Sequence, residues 1–259
     1  MNPSLREEYL KVLGITPWSL RTTRTPEAAA VATQPAPTRA SALAPPLAVL
    51  TAPPGAPQPA PARAPQPALR EENSDWGELR SRVAACTRCA LSKTRTQTVF
   101  GIGDPNADWL VVGEAPGAEE DRRGEPFVGR AGQLLDSMLR AIGLARERVY
   151  IANVLKCRPP GNRDPGPVEI TECLPYLEQQ IALLKPKIML AVGRIAAQNL
   201  LDTEMPLAKL RQQEHHFGAA RVPLVVTYHP AYLLRTPTDK RKAWEDLKFA
   251  REVCARVER

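Results

Sequence analysis

From Trp109 onward, short apolar runs rich in β-branched residues alternate with stretches of helical periodicity. This alternation restricts the fold more than any other feature of the chain. Trp109–Gly113 (WLVVG) reads as a strand, Ala131–Leu144 as a helix, Val149–Leu155 as a strand, and Val168–Leu184 as a helix with Pro167 suited to its first turn. Lys187–Val192, Ile195–Leu201, Val222–Thr227 and Thr238–Val257 continue the strand–helix order. Strands this uniformly apolar are buried on both faces, as in a parallel sheet covered by helices. The expected fold is therefore α/β, three layers (α/β/α) around a central four-stranded parallel sheet. In open parallel sheets ligands bind beyond the carboxyl ends of the strands. Gly113 and Glu114, Asn153, Gly193 and His229 fall at or just after those ends.

The preceding part of the chain is of another kind. The 27 prolines are too many for one compact fold, and they concentrate before residue 70. Residues 21–70 are dominated by Ala, Pro, Thr and Gln, as in TAPPGAPQPAPARAPQPA, and read as an extended, disordered linker. Residues 1–20 place Leu5, Tyr9, Val12 and Leu13 roughly on one helical face, either a short helix for docking a protein partner or a marginal helix that frays. Residues 71–259 remain as the folded domain, expected to act as a monomer.

The net charge of +7 is compatible with nucleic acid or an anionic membrane. Residues 1–69 hold six Lys+Arg against three Asp+Glu, so the basic excess is shared between tail and domain. Residues 1–20 lack the basic start, apolar block and cleavage site of a secretory signal. No run of about 18 apolar residues could span a bilayer. The expectation is a cytoplasmic protein with no membrane association, in a compartment where disulfides rarely persist.

The five cysteines then need another role. Cys86 and Cys89 form CTRC, Cys157 follows the second strand, and Cys173 lies on the next helix. Four thiolates suit zinc or an iron–sulfur cluster, and the spacing does not separate the two. Cys254 on the last helix is left for core packing.

The strongest local signal is GEAPGAEEDRRGEPFVGRAGQLL, Gly113–Leu135. Glycines in such a turn let backbone amides approach a ligand. No GKS or GKT follows, which excludes a P-loop, and GxGxxG is absent after the first strand, which disfavours a dinucleotide site. GEAPG, EPFVGRAGQLL, NVLKCRPPGNRDP and YHPAYLLR occur in that order after the CxxC. In this combination residues 80–250 closely resemble the family 4, iron–sulfur-containing uracil-DNA glycosylases. The resemblance implies the uracil-DNA glycosylase fold and a DNA-repair hydrolase. Such an enzyme flips uracil out of single- or double-stranded DNA and hydrolyses its N-glycosidic bond, leaving an abasic site for base-excision repair. It also implies a prokaryotic, nucleoid-associated setting.

By matching position, the resemblance gives Glu114 and His229 as catalytic residues and Gly113, Phe127, Asn153 and His229 as the uracil site. Phe127 would stack on the base, Asn153 bond its edge, and His229 face O2. Ala231–Arg235 matches the loop that wedges into the duplex, with Leu233, Leu234 and Arg235 as candidate wedges. Cys86, Cys89, Cys157 and Cys173 match the ligands of a 4Fe–4S cluster, with zinc less favoured. Arg130, Lys156, Arg158 and Arg163 are candidate phosphate contacts. His215 and His216 are expected in an inert polar loop.

The chemistry asks for the same residue types. Breaking an N-glycosidic bond develops positive charge on the sugar and negative charge on the base; a carboxylate answers the first and an imidazole the second. An asparagine offers both donor and acceptor, matching the O4/N3–H edge of uracil and not that of cytosine. Each residue also has a bland reading: a helix-start carboxylate, a core aromatic, a strand-end cap, a loop histidine. Ala115 replaces a glycine often seen in this turn. NVLKCRPPGNRDP lacks the basic, histidine-bearing insertion of the crosslinking branch, so turnover is expected. Relatives of family 5 usually lack an acidic residue where Glu114 stands. A noncatalytic DNA-binding module and a redox iron–sulfur protein are the rival readings. Because the resemblance stops short of residues 1–70, a 71–259 fragment should keep full activity; a soluble fragment without activity would overturn this division.

Overall fold

The computed structural model describes residues 75–257. The expected docking helix at 1–20 and linker at 21–70 lie outside the described residues, as do residues 71–74 of the expected domain.

Helix α1 (Trp76–Ala84) opens on Asp75, whose carboxylate accepts from the Glu78 amide at 2.7 Å, and buries Leu79 and Val83. Six strands follow: β1 (Ile102–Gly103), β2 (Trp109–Gly113), β3 (Tyr150–Asn153), β4 (Ile188–Val192), β5 (His215–Phe217) and β6 (Val222–Thr227). The intervening helices are α2 (Ala118–Arg123), α3 (Arg130–Ala141), α4 (Pro167–Leu184), α5 (Arg194–Leu201) and α6 (Leu207–Leu210). After β6 come α7 (Pro230–Arg235) and α8 (Lys240–Val257). The sheet order is β1-β3-β2-β4-β6-β5.

The four central strands are parallel, as their apolar runs predict, and β2, β3 and β4 are buried at every position. Strand side chains alternate between faces. Leu110, Val112, Met189, Ala191, Leu224 and Val226 meet α4 and α5 on one side. Val111, Ile151, Leu190, Val192 and Val225 meet α3 and α8 on the other, where Cys254 also packs. Each buried Leu, Ile or Val contributes roughly 1.5–3 kcal/mol, so the two layers together fix the sheet.

Two antiparallel edge strands extend this centre, β1 beside β3 and β5 beside β6. Neither carries an apolar run, so periodicity could not reveal them. His215 and His216 are thus on β5 and not in a loop. His215 Nε2 contacts the Leu210 carbonyl at 2.8 Å, and His216 lies 3.5 Å from Glu214. Among the described residues no helix is long and apolar enough to cross a membrane.

One buried carboxylate ties the end of β6 to α8. Asp246 is fully buried and accepts from Arg211 through Nε and Nη2 at 2.7 and 2.8 Å, from Gln212 Nε2 at 2.7 Å and from Thr227 Oγ1 at 2.8 Å. Removing one partner of a buried ion pair strands the other charge. Asp246→Ala should therefore lower the unfolding free energy by about 3–5 kcal/mol in urea titration. A change near zero would show that water takes over this role.

Candidate active site

The carboxyl ends of the parallel strands open into a cleft lined by Glu114, Phe127, Asn153, Asp164, His229 and Arg235, with Glu120 beside them. Glu114, Phe127, Asn153 and His229 are delivered by four different segments. Gly113 and Asn153 are direct partners at the ends of β2 and β3, so Glu114 leaves β2 next to Asn153. His229 follows the end of β6 and opens α7, and Phe127 comes from the turn between α2 and α3.

Gly113 makes the packing possible. A Cβ there would stand 2.4 Å from Asn153 Oδ1 and 2.7 Å from Phe127 Cζ. Phe127 itself has φ 55°, in the left-handed region that costs a non-glycine residue about 1–3 kcal/mol. The surroundings hold it there. The Val128 amide donates to Glu120 Oε1 at 3.1 Å, and Arg146 Nη2 donates to the Pro126 carbonyl at 2.6 Å. At Gly132, in the first turn of α3, any Cβ would fall 1.8 Å from the Phe127 carbonyl oxygen.

The Phe127 ring stacks on His229 with centroids 5.6 Å apart and 29° between planes. Asn153 is 2% exposed, and its Oδ1 has no hydrogen-bond partner among the described residues. A buried acceptor left alone costs roughly 1–3 kcal/mol and calls for an explanation. A ligand with an N–H donor supplies one.

The two titratable groups are displaced in opposite senses. Burial, then the nearby Asp164, push Glu114 up to about 7, against the pull of Arg194. Asp164 and Arg194 are themselves paired at 2.9 Å. Burial, then Arg235, push His229 down to about 4, against Glu120. His229 is therefore neutral at pH 7. Its Nδ1 accepts the Ala231 amide at 3.1 Å, so the ring proton sits on Nε2, leaving a donor.

Two side chains lie where they cannot meet DNA. Lys156 is 1% exposed, its ammonium donating to the Asn153 carbonyl at 2.8 Å and to Gln180 Oε1 at 2.6 Å; it cannot reach a DNA phosphate. Leu233 is 1% exposed and packs in the core, because Ala231–Arg235 is helical and turns that residue inward. Leu234 and Arg235 on the same helix are exposed, as is Arg130 at the start of α3. Arg158 is half-buried and donates to Asn162 Oδ1 at 2.7 Å, and Arg163 pairs with Glu169. Glu120, Asp164 and Arg194 were not singled out from the sequence; Glu120 sits among acidic neighbours and only the fold separates it from them.

Cys86, Cys89, Cys157 and Cys173 line one small pocket walled by Val83, Leu91 and Leu155. Arg95 Nη1 donates to Cys157 Sγ at 3.0 Å, and the Lys156 amide donates to Cys173 Sγ at 3.1 Å. Burial pushes the Cys173 thiol up to about 12. Among the described residues no group of three or more His, Cys, Asp or Glu is arranged to hold a metal ion.

A family model described as the uracil DNA glycosylase superfamily matches residues 100–248. The type-4 uracil-DNA glycosylase of Archaeoglobus fulgidus is 44% identical over 180 residues, 67% of this chain and 90% of that relative. That of Thermotoga maritima is 42% identical over 174 residues, 66% of this chain and 90% of its own. The type-5 uracil-DNA glycosylase of Thermus thermophilus is 36% identical over 150 residues, 51% of this chain and 68% of its own.

The upward shift of Glu114 has a stability signature. Between its ordinary 4.5 and about 7, the folded protein keeps a proton that the unfolded chain releases, so this group's contribution to stability falls as pH rises through that window. His229 tends the other way, but it cancels between two proteins that both contain it. The Tm of Glu114→Gln minus that of the unsubstituted protein should therefore grow from pH 4.5 to about pH 7. A difference independent of pH would contradict the shift.

Proposed function

The chain belongs to the type-4 uracil-DNA glycosylases of the uracil DNA glycosylase superfamily, and from that premise we propose how its cleft excises uracil from DNA. The observation that carries the reading is the unpartnered Oδ1 of Asn153 beside the Phe127–His229 stack. Uracil N3–H is the donor this oxygen lacks, and the side-chain amide donates to O4. Cytosine has no N3 proton and presents an amino donor to another donor, so the same amide rejects it. Phe127 offers the extruded base an aromatic face, worth roughly 1–3 kcal/mol without reading sequence. Gly113 lets these two side chains approach the end of β2 at backbone level.

As the C1′–N1 bond breaks, its electron pair moves onto the uracil ring and the sugar becomes an oxocarbenium ion. The Nε2–H of neutral His229 donates to O2, where the base gathers charge. Glu114 in its ionised form faces the cation and orients the water that adds to C1′, taking its proton. The products are free uracil and an abasic site for base-excision repair.

Extrusion costs a few kcal/mol and is easiest for a mispaired or single-stranded base. Leu234 and Arg235 are the side chains we assign to the gap it leaves. Arg130 and Arg158 are assigned to flanking phosphates, the partner being uracil-containing DNA, single- or double-stranded.

We assign the four-cysteine pocket to a 4Fe–4S cluster. A small pocket lined by four thiols, with N–H donors on two of the sulfurs, suits thiolate ligation. Four thiolates also suit tetrahedral zinc; the resemblance to the iron–sulfur-containing family supports the cluster. Bound there, the cluster would cross-link the segment after α1, the segment after β3, and α4. Within this reading, residues 71–259 are the catalytic domain of a cytoplasmic, nucleoid-associated monomer, and residues 1–20 serve a protein partner.

Glu114→Ala and His229→Ala should each keep the fold and lose at least about 10²-fold in uracil release. The measurement is abasic-site formation on single-stranded U, U:G, U:A and T:G oligonucleotides, with protein purified anaerobically. Unchanged rates from either variant would overturn its role. No release from any uracil substrate by iron-loaded protein would overturn the mechanism as a whole.

A further inference from the structure

Lys156 is buried where a methionine or leucine would fill the same volume without desolvating a charge. Its ammonium has two protein acceptors, the Asn153 carbonyl at 2.8 Å and Gln180 Oε1 at 2.6 Å. Gln180 is itself fully buried, and its amide nitrogen donates to the Phe100 carbonyl at 2.9 Å and contacts Tyr150 Oη at 3.4 Å. Its oxygen is thereby turned toward the lysine. The Lys156 backbone is fixed as well: its amide donates to Cys173 Sγ at 3.1 Å, and its carbonyl accepts the Val99 amide at 2.8 Å. The lysine is thus held at both ends, and the group it holds in turn is the main chain of Asn153.

Asn153 is the last residue of β3, where the regular ladder ends. The Val154 and Leu155 amides turn to the Gly113 and Glu114 carbonyls, at 2.9 and 3.0 Å. The Asn153 carbonyl lies in the plane of the following peptide, so a bond to it restrains ψ of Asn153 and with it the backbone that carries the side chain. We propose that Lys156 is a positioning residue for uracil recognition: its ammonium clamps the Asn153 carbonyl and so holds the Asn153 amide toward the cleft in one orientation. This inference rests on the assignment of Asn153 to the uracil edge. Lys156 also touches the cysteine pocket, its backbone amide meeting Cys173 Sγ while its ammonium meets the Asn153 carbonyl.

The test is a double-mutant cycle on the full-length, iron-loaded protein: Lys156→Met, Asn153→Ala and the pair, with iron content and thermal unfolding checked for each. Lys156→Met should lower kcat/KM on a U:G duplex by about tenfold in the otherwise unsubstituted protein, but by less than about twofold when Asn153 is already alanine. Inhibition by free uracil should weaken in the same proportion, because the lost contact is to the base. An equal fold-loss in both backgrounds would overturn the clamp and leave Lys156 a merely structural residue. Full activity of Asn153→Ala alone would overturn the reading of Asn153 beneath it. Should Lys156→Met lose its iron or its fold, Gln180→Met removes one of the two acceptors with Lys156 in place and goes through the same cycle under the same criteria.

Discussion

Three chain segments pass one another at Gly113 more closely than any side chain would permit, and the cleft is a consequence of that approach. The end of β2 supplies the glycine, the end of β3 supplies Asn153, and the turn before α3 supplies Phe127. Parallel pairing brings the first two into register, because β2 and β3 run side by side and stop together. The third is brought in against its own backbone preference, with φ in the left-handed region, and is kept there by Glu120, Arg146 and the missing side chain at Gly132. The strain is local, and the packing that opposes it is spread over α2, α3 and the arginine below them.

Burial is also what sorts the charges. Glu114 and His229 both lose water, and each responds by favouring its neutral form, the carboxyl rising to about 7 and the imidazole falling to about 4. For the histidine this fixes a neutral ring with one donor. An imidazolium would carry a second N–H at Nδ1, where the Ala231 amide finds its acceptor. For the glutamate, a value of about 7 leaves the ionised form accessible at neutral pH, and in the proposed reaction that form takes a proton from water. The low dielectric that shifts both groups also strengthens each hydrogen bond made to developing charge.

The four parallel strands and the order of the helices were legible because buried parallel strands leave a continuous apolar signature. The residues at their carboxyl ends were legible because motif and topology pointed to the same place. What could not be read was governed by tertiary partners. Whether a lysine stem points outward or inward is decided for Lys156 by Gln180, which lies on another element. Leu233 and Leu234 look alike as a loop, but on a helix they face opposite environments, one in the core and one exposed. The edge strands are only two and three residues long, and β5 carries two histidines where a strand pattern would want apolar residues. Glu120 is one of three consecutive acidic residues, and its selection depends on the amide of Val128 in the turn before α3.

The buried polar residues of this domain are not scattered through its core. Asp121 accepts the Thr96 and Gln97 amides and anchors the segment beneath α2. Glu169 holds Arg163 and the Gly166 amide, fixing the loop that carries Asn162 and Asp164 into the cleft. Asp246 holds Thr227, two residues before His229, and Lys156 with Gln180 holds Asn153. Every one of these groups would be less costly to bury as an apolar side chain of equal volume. What a hydrophobic replacement lacks is direction: it fills space but does not dictate which way a strand end leaves the sheet. The core fixes the sheet by area, whereas the loops at its carboxyl ends are fixed by hydrogen bonds, which set the angles at which Asn153 and His229 enter the cleft.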